Sequence, residues 1–324
     1  MEDGKDPKNP TLSEVGEKAV IDTILRTAPS TRNGDDAAVL DYGAPNSRMV
    51  VTTDMLVEER HFTKEWSNPA EIGRKAITQN FADVEAMGAR PVAALLSLSA
   101  PGFTRLQFVS ELARGINERI SDYGAELIGG DMTDGEYIVI SVTAIGQLGG
   151  PLEPLHLRNA RPGQIVVASG GIGESATGHA LLARLGREAA LPEFESLLRA
   201  HCSTIMPPGR GYVARSAGVS AMTDNSDGLV RDIHAIAAKS KVAINLDSQA
   251  IGPTEDIMRA CEILEEDPWK FVLSGGEDHT LIGTTFGPAP TGFRAIGTVL
   301  SHHPQGLVTV DSAPPRYQEG WGSF

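Results

Sequence analysis

The sequence is poor in several features that would otherwise define its class. Of its 324 residues, only two are cysteines, Cys202 and Cys261, and 5% are aromatic. The two thiols form neither a zinc-binding spacing nor a disulfide framework, which indicates a reducing compartment. The longest apolar run, around Val92–Leu98, is much too short to cross a membrane. We therefore expect a cytoplasmic protein that does not associate with membranes.

Basic residues are also scarce. The chain has 28 Lys and Arg against 42 Asp and Glu, a formal net charge of −14. Nucleic acids and anionic membranes attract a basic surface, so we expect neither as a partner. The opening MEDGKDPKNP lacks the apolar centre of a signal peptide, and we expect residues 1–12 to form a disordered leader.

The remaining composition is typical of a globular protein, with 41% hydrophobic and 22% charged residues. The length favours two domains rather than one small core. Both halves mix strand and helix patterns without strict alternation, which predicts α+β domains rather than a doubly wound parallel sheet. The segment Gly149–Gly163, rich in proline and glycine, is predicted to link a domain at 13–150 to one at 151–324.

Acidic residues occur in short motifs along the whole chain. The first, Asn33–Leu40, reads NGDDAAVL, in which two adjacent carboxylates repel each other unless a cation lies between them. Further acids follow at Thr52–Thr53–Asp54 and Gly129–Gly130–Asp131, both predicted at strand ends, at Asp83, in TDNSDGL at 223–229, and in SGGED at 274–278. Oxygen ligands of this kind suit magnesium, and magnesium suits phosphates. The pattern therefore predicts one cation-loaded centre.

The clearest helix prediction begins with Asn68 as the N-cap and Pro69 in the first turn, and it ends near Met87. Asn80 and Asp83 share the otherwise apolar stripe of this helix. A half-buried carboxylate on such a stripe needs a partner, which the sequence leaves open between a metal ion and an arginine.

The segment Gly171–Ala176 matches a loose dinucleotide-binding fingerprint, G-x-G-x-x-A. No clear βαβ unit with a closing acidic residue follows it. The context favours a simple strand–helix turn, whose helix N-terminus is suited to receive a phosphate.

Taken in order, these pieces resemble the thiamine-monophosphate kinases, which belong to a superfamily with the aminoimidazole ribonucleotide synthetases. The resemblance runs from about residue 12 to the last residue and rests on NGDDAAVL, TTDMLVEERHF, NFADVEAMGARP, IGGDMT, TDNSDGL, SGGED and the terminal GWGSF. It implies an N-terminal mixed-sheet α+β domain that dimerises into a shared barrel-like core, and a C-terminal layered α/β sandwich. The implied reaction transfers the γ-phosphoryl group of ATP to thiamine phosphate, the last step of thiamine diphosphate biosynthesis.

The resemblance also implies roles for individual residues. The implied magnesium ligands are Asp36, Thr52, Thr53, Asp54, Asp83, Asp131, Asp224 and Asp227. The implied ATP contacts are Gly130, Asp131, Arg158 and Ser226, and the implied substrate contacts are His61, Glu277 and Trp321. No general base is expected, because a phosphate monoester is already an anion at neutral pH. Several Mg²⁺ ions would instead offset the repulsion between the two phosphate groups.

Other readings stay open from the sequence. The chain could be another ATP-dependent member of the same superfamily. A selenophosphate synthetase would be expected to carry a cysteine near the N-terminus, where residues 1–36 have none, and a hydrogenase maturation protein would be expected to end in cysteine rather than Phe324. An aminoimidazole ligase is disfavoured by His61 and the aromatic tail. Departures from the family pattern at Met132 and Gly322 leave open an inactive nucleotide-binding module.

Overall fold

The computed structural model describes residues 9–30, 46–190 and 192–320, and these form two mixed assemblies of strands and helices. The α+β prediction is confirmed. The helices are α1 Leu12–Thr27, α2 Pro69–Ala86, α3 Leu106–Asp122, α4 Glu174–Leu185, α5 Arg187–Ala190, α6 Glu195–Cys202, α7 Arg210–Ser216, α8 Leu229–Ser240, α9 Ser248–Ile251, α10 Glu255–Leu264 and α11 Pro268–Ser274. The strands are β1 Arg48–Val57, β2 Arg90–Ala100, β3 Glu126–Asp134, β4 Val139–Leu148, β5 Ile165–Ser169, β6 Ala221–Asp224, β7 Val242–Leu246, β8 Leu281–Thr285, β9 Arg294–His302 and β10 Leu307–Val310.

The first sheet has the strand order β1-β4-β2-β3, in which β2 and β3 run parallel and the other pairs antiparallel. One face is covered by α2 and α3, and alternate residues of β4 point into that core. The opposite face of β1 is open. Met49, Val51 and Met55, each more than half exposed, lie on it, and Thr53 completes the alternation between Val51 and Met55. The sheet therefore has one finished core face and one open apolar face.

The helix α2 begins as the sequence predicts. Asn68 accepts a hydrogen bond from the backbone N–H of Glu71, and the Glu71 carboxylate accepts one from the backbone of Asn68, a reciprocal capping box with Pro69 in the first turn. The Glu71 carboxylate also binds Arg187 of α5 through two bonds of 2.7 Å. The start of α2 is thus fixed both locally and by the other half of the chain.

The second sheet has the order β10-β7-β9-β5-β8-β6 and joins the C-terminal helices in a separate core. Here α8 packs against β6, β7 and β10, while α4 packs on α6 and α10 to form a further apolar cluster. The two halves meet along α2. Buried Glu85 accepts hydrogen bonds from the backbone of Gly209 and Gly211 at the start of α7, and Thr78 donates to the carbonyl of Thr204.

Helix α1 is capped by Thr11 in a capping box with Glu14, and α3 follows Arg105. Two strand predictions are wrong. Thr52–Asp54 and Gly129–Asp131 lie inside β1 and β3, not at their ends. Both strands continue through polar residues because one face or one edge of the strand is open to solvent, so the apolar pattern stops before the strand does.

Candidate active site

A cavity of about 750 Å³ opens between the two halves of the chain. Its walls include His61, Trp66, His179, His201, Glu277, Tyr317 and Gly320. Two of the three predicted substrate contacts, His61 and Glu277, therefore meet here although they lie far apart in the sequence. The third, Trp321, lies outside the described residues and follows Gly320 directly in the sequence.

Glu277 supplies a fixed negative charge to this cavity. Burial alone would raise the pKa of its carboxyl group, but the Lys75 ammonium, with the neighbouring rings of His201 and His279, outweighs burial and holds the pKa at about 2. The Lys75 ammonium lies 3.2 Å and the His201 ring nitrogen 3.4 Å from the carboxylate. The side chain keeps 27% of its surface exposed. Glu277 is thus an ionised carboxylate that a ligand in the cavity can reach.

Flat rings line the same wall. Trp66 and His179 meet edge to face with centroids 5.5 Å apart, and His179 and His201 lie 5.0 Å apart. Burial lowers the pKa of both His179 and His201, with the nearby Lys75 charge acting in the same direction, so both imidazoles are neutral at pH 7. Trp66, His179 and His201 therefore present uncharged aromatic surface beside the Glu277 carboxylate, a combination that suits a flat, positively charged ring.

A cluster of carboxylates lies beyond the cavity, where β1, α2 and the end of β6 approach one another. Thr52 donates a 2.8 Å hydrogen bond to Asp83, and the backbone of Asp54 donates one of 2.9 Å to Asn80. Burial, followed by the charges of Asp224 and Asp54, raises the pKa of Asp83 to about 7. The structure therefore brings together Thr52, Asp54, Asp83 and Asp224, and the acids among them repel one another.

Asp224 lies at the end of β6 and is almost fully buried. His279 faces it at 2.9 Å from ring Nδ1 to carboxylate Oδ2, and the Ser226 hydroxyl lies 3.4 Å from Oδ1. Burial lowers the pKa of His279, but the contact with Asp224 and further acidic groups raises it overall. The predicted ATP contact Ser226 therefore stands beside the carboxylate cluster.

Asp227 lies just before α8 and does not cap it. The N-cap is Gly228, whose φ of 123° is in the region that favours glycine. The Asp227 side chain instead lies 3.4 Å from Arg231. The backbone N–H groups of Asp227 and Gly228 both donate to Asp232, whose pKa is raised to about 8 by burial, Asp224 and Asp227. Asp227 thus belongs to the margin of the acidic cluster.

Other predicted residues lie elsewhere. Thr53 points to the sheet face opposite Thr52 and contacts the Val142 carbonyl at 3.1 Å. Gly130 and Asp131 lie on β3, three strands from β1 and roughly 14 Å away at the usual strand spacing. A side chain at Gly130 would collide with the carbonyl of Leu96 on β2, which accounts for the glycine without a ligand.

Two predicted residues remain, Arg158 and Asp36. Arg158 is exposed in a short 3₁₀ turn, Leu157–Asn159, that packs beside β6 and α8. Asp36 lies outside the described residues. Their assignments, and those of Thr53, Gly130 and Asp131, stay predictions.

The sequence suggested that the helix N-terminus of α4 could receive a phosphate, but a carboxylate of the protein lies there. The Asp278 carboxylate accepts the backbone N–H of Gly173 at 2.6 Å and that of Ser175 at 2.8 Å. A protein carboxylate therefore already occupies the position at the helix N-terminus that an anion would take.

Magnesium fits the chemistry of the acidic cluster. Within the described residues, no three His, Cys, Asp or Glu side chains lie close enough to hold a metal ion by themselves. The cluster nevertheless carries mutually repelling carboxylates, and the buried Asn225 Oδ1 next to Asp224 has no hydrogen-bond partner among the described atoms. A hard divalent ion such as Mg²⁺ binds to oxygen ligands, and it is suited to a cluster with more carboxylates than neighbouring cations.

The sequence analysis missed several residues of this region. Lys75, His201 and His179 carry the electrostatics of the cavity, and His279 contacts Asp224. Lys75 could have been found, because it is three residues from Ile72 and eight from Asp83 and so lies near the same stripe of α2. The histidines on α4 and α6 gave no such signal, since their approach to Glu277 depends on the tertiary fold.

Comparison with known proteins identifies the family of this chain. Residues 34–148 match the N-terminal domain of the AIR synthase related proteins, and residues 161–278 match their C-terminal domain. A thiamine-monophosphate kinase from Corynebacterium glutamicum is 56% identical over 315 residues, which cover 97% of this chain and 95% of that protein. The chain belongs to the thiamine-monophosphate kinase family. The resemblance read from its motifs is confirmed.

Solved structures of the family share the fold. The thiamine-monophosphate kinase from Stenotrophomonas maltophilia has a TM-score of 0.78 at 30% identity, covering 91% of this chain and 96% of that one. The structure of AaThiL complexed with AMPPCP and TMP has a TM-score of 0.75 at 31% identity, covering 97% of this chain and 98% of that one. No helix in the described ranges is long and apolar enough to cross a membrane.

Proposed function

We propose that this protein phosphorylates thiamine phosphate to thiamine diphosphate, with ATP as the phosphoryl donor. One observation carries the proposal: an ionised carboxylate in an aromatic cavity lies next to a cluster of carboxylates whose mutual repulsion is only partly compensated. The first feature suits the positively charged thiazolium ring of the acceptor, and the second suits magnesium and phosphates. Membership of the thiamine-monophosphate kinase family supports the same substrate pair.

In this mechanism the protein binds and orients the two substrates. Glu277 faces the thiazolium, while His61 and the rings of Trp66 and His179 enclose the rest of the acceptor. Asp54, Asp83 and Asp224 hold magnesium, with Thr52 and Ser226 beside them. Bound magnesium supplies positive charge between two polyanions and favours in-line geometry. No side chain has to remove a proton, because the attacking phosphate oxygen is already ionised.

We assign the remaining predicted residues to the same reaction. Asp36, Thr53, Asp131 and Asp227 complete the magnesium ligands, Gly130, Asp131, Arg158 and Ser226 contact ATP, and Trp321 stacks on the acceptor. Trp321 directly follows Gly320 in the sequence, and Gly320 lies on the cavity wall, which supports that last assignment. The two cysteines are unpaired and buried, in keeping with a cytoplasmic location.

The working form we propose is a homodimer joined through the open face of the first sheet. Met49, Val51 and Met55 make this face apolar, and among the described strands β1, which carries them, lies at the edge of its sheet. Within one chain Asp131 lies three strands from Asp54, so a second subunit is a natural source of groups near either edge. Sedimentation equilibrium tests this directly. A mass of twice 34.3 kDa is expected, and a monomer at micromolar concentration contradicts it.

The activity is tested by ADP release with ATP, Mg²⁺ and thiamine phosphate. Free thiamine and an aminoimidazole ribonucleotide precursor replace the acceptor in parallel reactions. We expect ADP release with thiamine phosphate alone, and its loss on chelation of the metal. Turnover only with the aminoimidazole precursor would assign the protein to ligation chemistry. Tight Mg-ATP binding without turnover of any acceptor would indicate an inactive nucleotide-binding module.

A further inference from the structure

The side chain of Lys75 is 1% exposed, although it carries a charge. It lies in the first half of α2, and its ammonium makes two hydrogen bonds within the described part of the chain. It donates a 3.0 Å hydrogen bond to the backbone carbonyl of His61 and lies 3.2 Å from the carboxylate of Glu277. A buried ammonium costs several kcal/mol unless it is paired, so this site must be stabilised by its two partners.

Those partners come from the two halves of the chain and from two walls of the cavity. His61 belongs to the loop after β1, and Glu277 belongs to the loop after α11. Glu277 has a positive φ of 63°, which is uncommon outside glycine, and its backbone N–H bonds to the Ser226 carbonyl at 2.9 Å. The unusual backbone aims the carboxylate toward Lys75 and the cavity.

We propose that Lys75 is a positioning residue for the acceptor: it ties the His61 wall to the Glu277 wall and holds the Glu277 carboxylate toward the substrate. The inference rests on the function proposed above. Lys75 itself does not line the cavity, so it acts through Glu277 and His61 rather than by touching the substrate.

The position of Lys75 also relates the two halves of the site. Lys75 and Asp83 are eight residues apart on one helix, about 12 Å at the usual rise. On the facing loop, Glu277 pairs with Lys75, while His279, two residues on, pairs with Asp224. Two elements thus run side by side: α2 places Lys75 behind the cavity wall and Asp83 in the acidic cluster, while the loop places Glu277 in the cavity wall and His279 beside the cluster. The Lys75–Glu277 pair lies at the end of these two elements that is proposed to receive the acceptor.

The test is a double-mutant cycle of Lys75→Met and Glu277→Gln, with the wild type measured first. Kd values for thiamine phosphate and for Mg-ATP are determined by calorimetry, and both KM values and kcat by ADP release. Lys75→Met removes the charge and both contacts at similar volume. We expect Kd and KM for thiamine phosphate to rise by about 30-fold or more, with the Kd for Mg-ATP within threefold of wild type. In the Glu277→Gln background the same change is expected to alter the thiamine phosphate Kd by less than threefold.

Lys64→Met is the matched control. Lys64 forms an ion pair with Glu58 in the same region, but neither its ammonium nor Glu58 lines the cavity. The thiamine phosphate Kd of this variant is expected to stay within threefold of wild type. If Lys75→Met does not fold, Lys75→Gln replaces it, and the double variant, which leaves no unpaired buried ion, completes the comparison.

Two results would overturn the inference. One is an equal loss of affinity for thiamine phosphate and Mg-ATP, which would show a general effect on the fold. The other is the same fold-change from Lys75→Met in both backgrounds, which would show that Lys75 does not act through Glu277. A wild-type protein that binds no thiamine phosphate would instead overturn the proposed function, before any variant is compared.

Discussion

Glu277 and Asp83 are both carboxylates in the same interdomain region, yet their environments drive them in opposite directions. Burial raises the pKa of both. For Glu277 the Lys75 ammonium, together with the neighbouring rings of His201 and His279, reverses this effect, and the pKa falls to about 2. For Asp83 the neighbouring charges are Asp224 and Asp54, and the pKa rises to about 7. The protein thus compensates the Glu277 charge fully, whereas His279 offsets the repulsion in the acidic cluster only in part.

The largest expected effect is the loss of turnover on replacement of Asp83, whose neighbours in the cluster are mainly acidic. Asp83→Asn removes a proposed magnesium ligand and one of the repelling charges. Loss of groups that only support metal ligands already costs 10–100-fold, so we expect kcat to fall by about 100-fold or more. Without divalent cation, the free energy of unfolding at pH 8 is expected to rise by on the order of 1 kcal/mol, because the repulsion is relieved.

Steady-state ADP release and urea unfolding with and without Mg²⁺ measure these two effects. In the wild type, Mg²⁺ is expected to raise the urea midpoint, and in Asp83→Asn this increase is expected to shrink. A variant with turnover within threefold of wild type would remove Asp83 from the metal site. If Asp83→Asn were less stable than the wild type without metal, the Asp83 carboxylate of the wild type would already be compensated by neighbouring groups.

Replacement of Glu277, whose charge the protein compensates, is expected to have the reverse effect on stability. Glu277→Gln leaves the buried Lys75 ammonium without its anion, so we expect the free energy of unfolding to fall by about 3 kcal/mol. The KM for thiamine phosphate is expected to rise at least tenfold, because the charge that faces the thiazolium is lost. Urea unfolding at pH 7 and initial rates measure the two effects.

Glu65→Gln is the control for this variant, since Glu65 is exposed and lies outside the cavity wall. Its unfolding free energy is expected to stay within about 0.5 kcal/mol of wild type. Equal stability of Glu277→Gln and wild type would mean that Lys75 does not depend on its partner.

The pH dependence of the unfolding free energy tests the low pKa of Glu277. The folded pKa of Glu277, about 2, is below its ordinary value of 4.5. Its stabilising contribution is therefore complete above pH 4.5 and is lost as the pH falls toward 2. The stability difference between wild type and Glu277→Gln is expected to shrink by about 1 kcal/mol between pH 7 and pH 3.5. Urea unfolding at both pH values tests this, and a difference that grows in acid would reverse the sign assigned to Glu277.

The sequence could predict what depends on neighbours along the chain. Asn68 and Pro69 predict the start of α2 because a capping box needs only residues three apart. The motif order predicts the family and two of the cavity residues, His61 and Glu277. The extent of β1 was missed because Thr52–Asp54 interrupt the apolar pattern of a strand whose other face is open.

What the sequence could not predict depends on the tertiary fold. Asp131 and Asp54 occur in similar motifs, yet the strand order places them on opposite strands of the first sheet. Likewise, Lys75 is an ordinary helical lysine in the sequence, and only the approach of the Glu277 loop explains its burial. Local chemistry therefore identifies the groups, while sheet order and domain packing decide which of them meet.

The smallest expected effect tests whether burial is the reason for these differences. Lys18 and Asp22 form a pair of 3.0 Å on α1, about as short as the 3.2 Å pair of Lys75 and Glu277, but their side chains are 88% and 43% exposed. Exposed pairs four residues apart on a helix contribute about 0.3–0.5 kcal/mol. Asp22→Asn is therefore expected to change the unfolding free energy by less than about 0.5 kcal/mol at pH 7, and added salt should reduce even that. If urea unfolding showed a loss as large as that of Glu277→Gln, contact distance rather than desolvation would govern both pairs, and the contrast between the two sides of the site would need another cause.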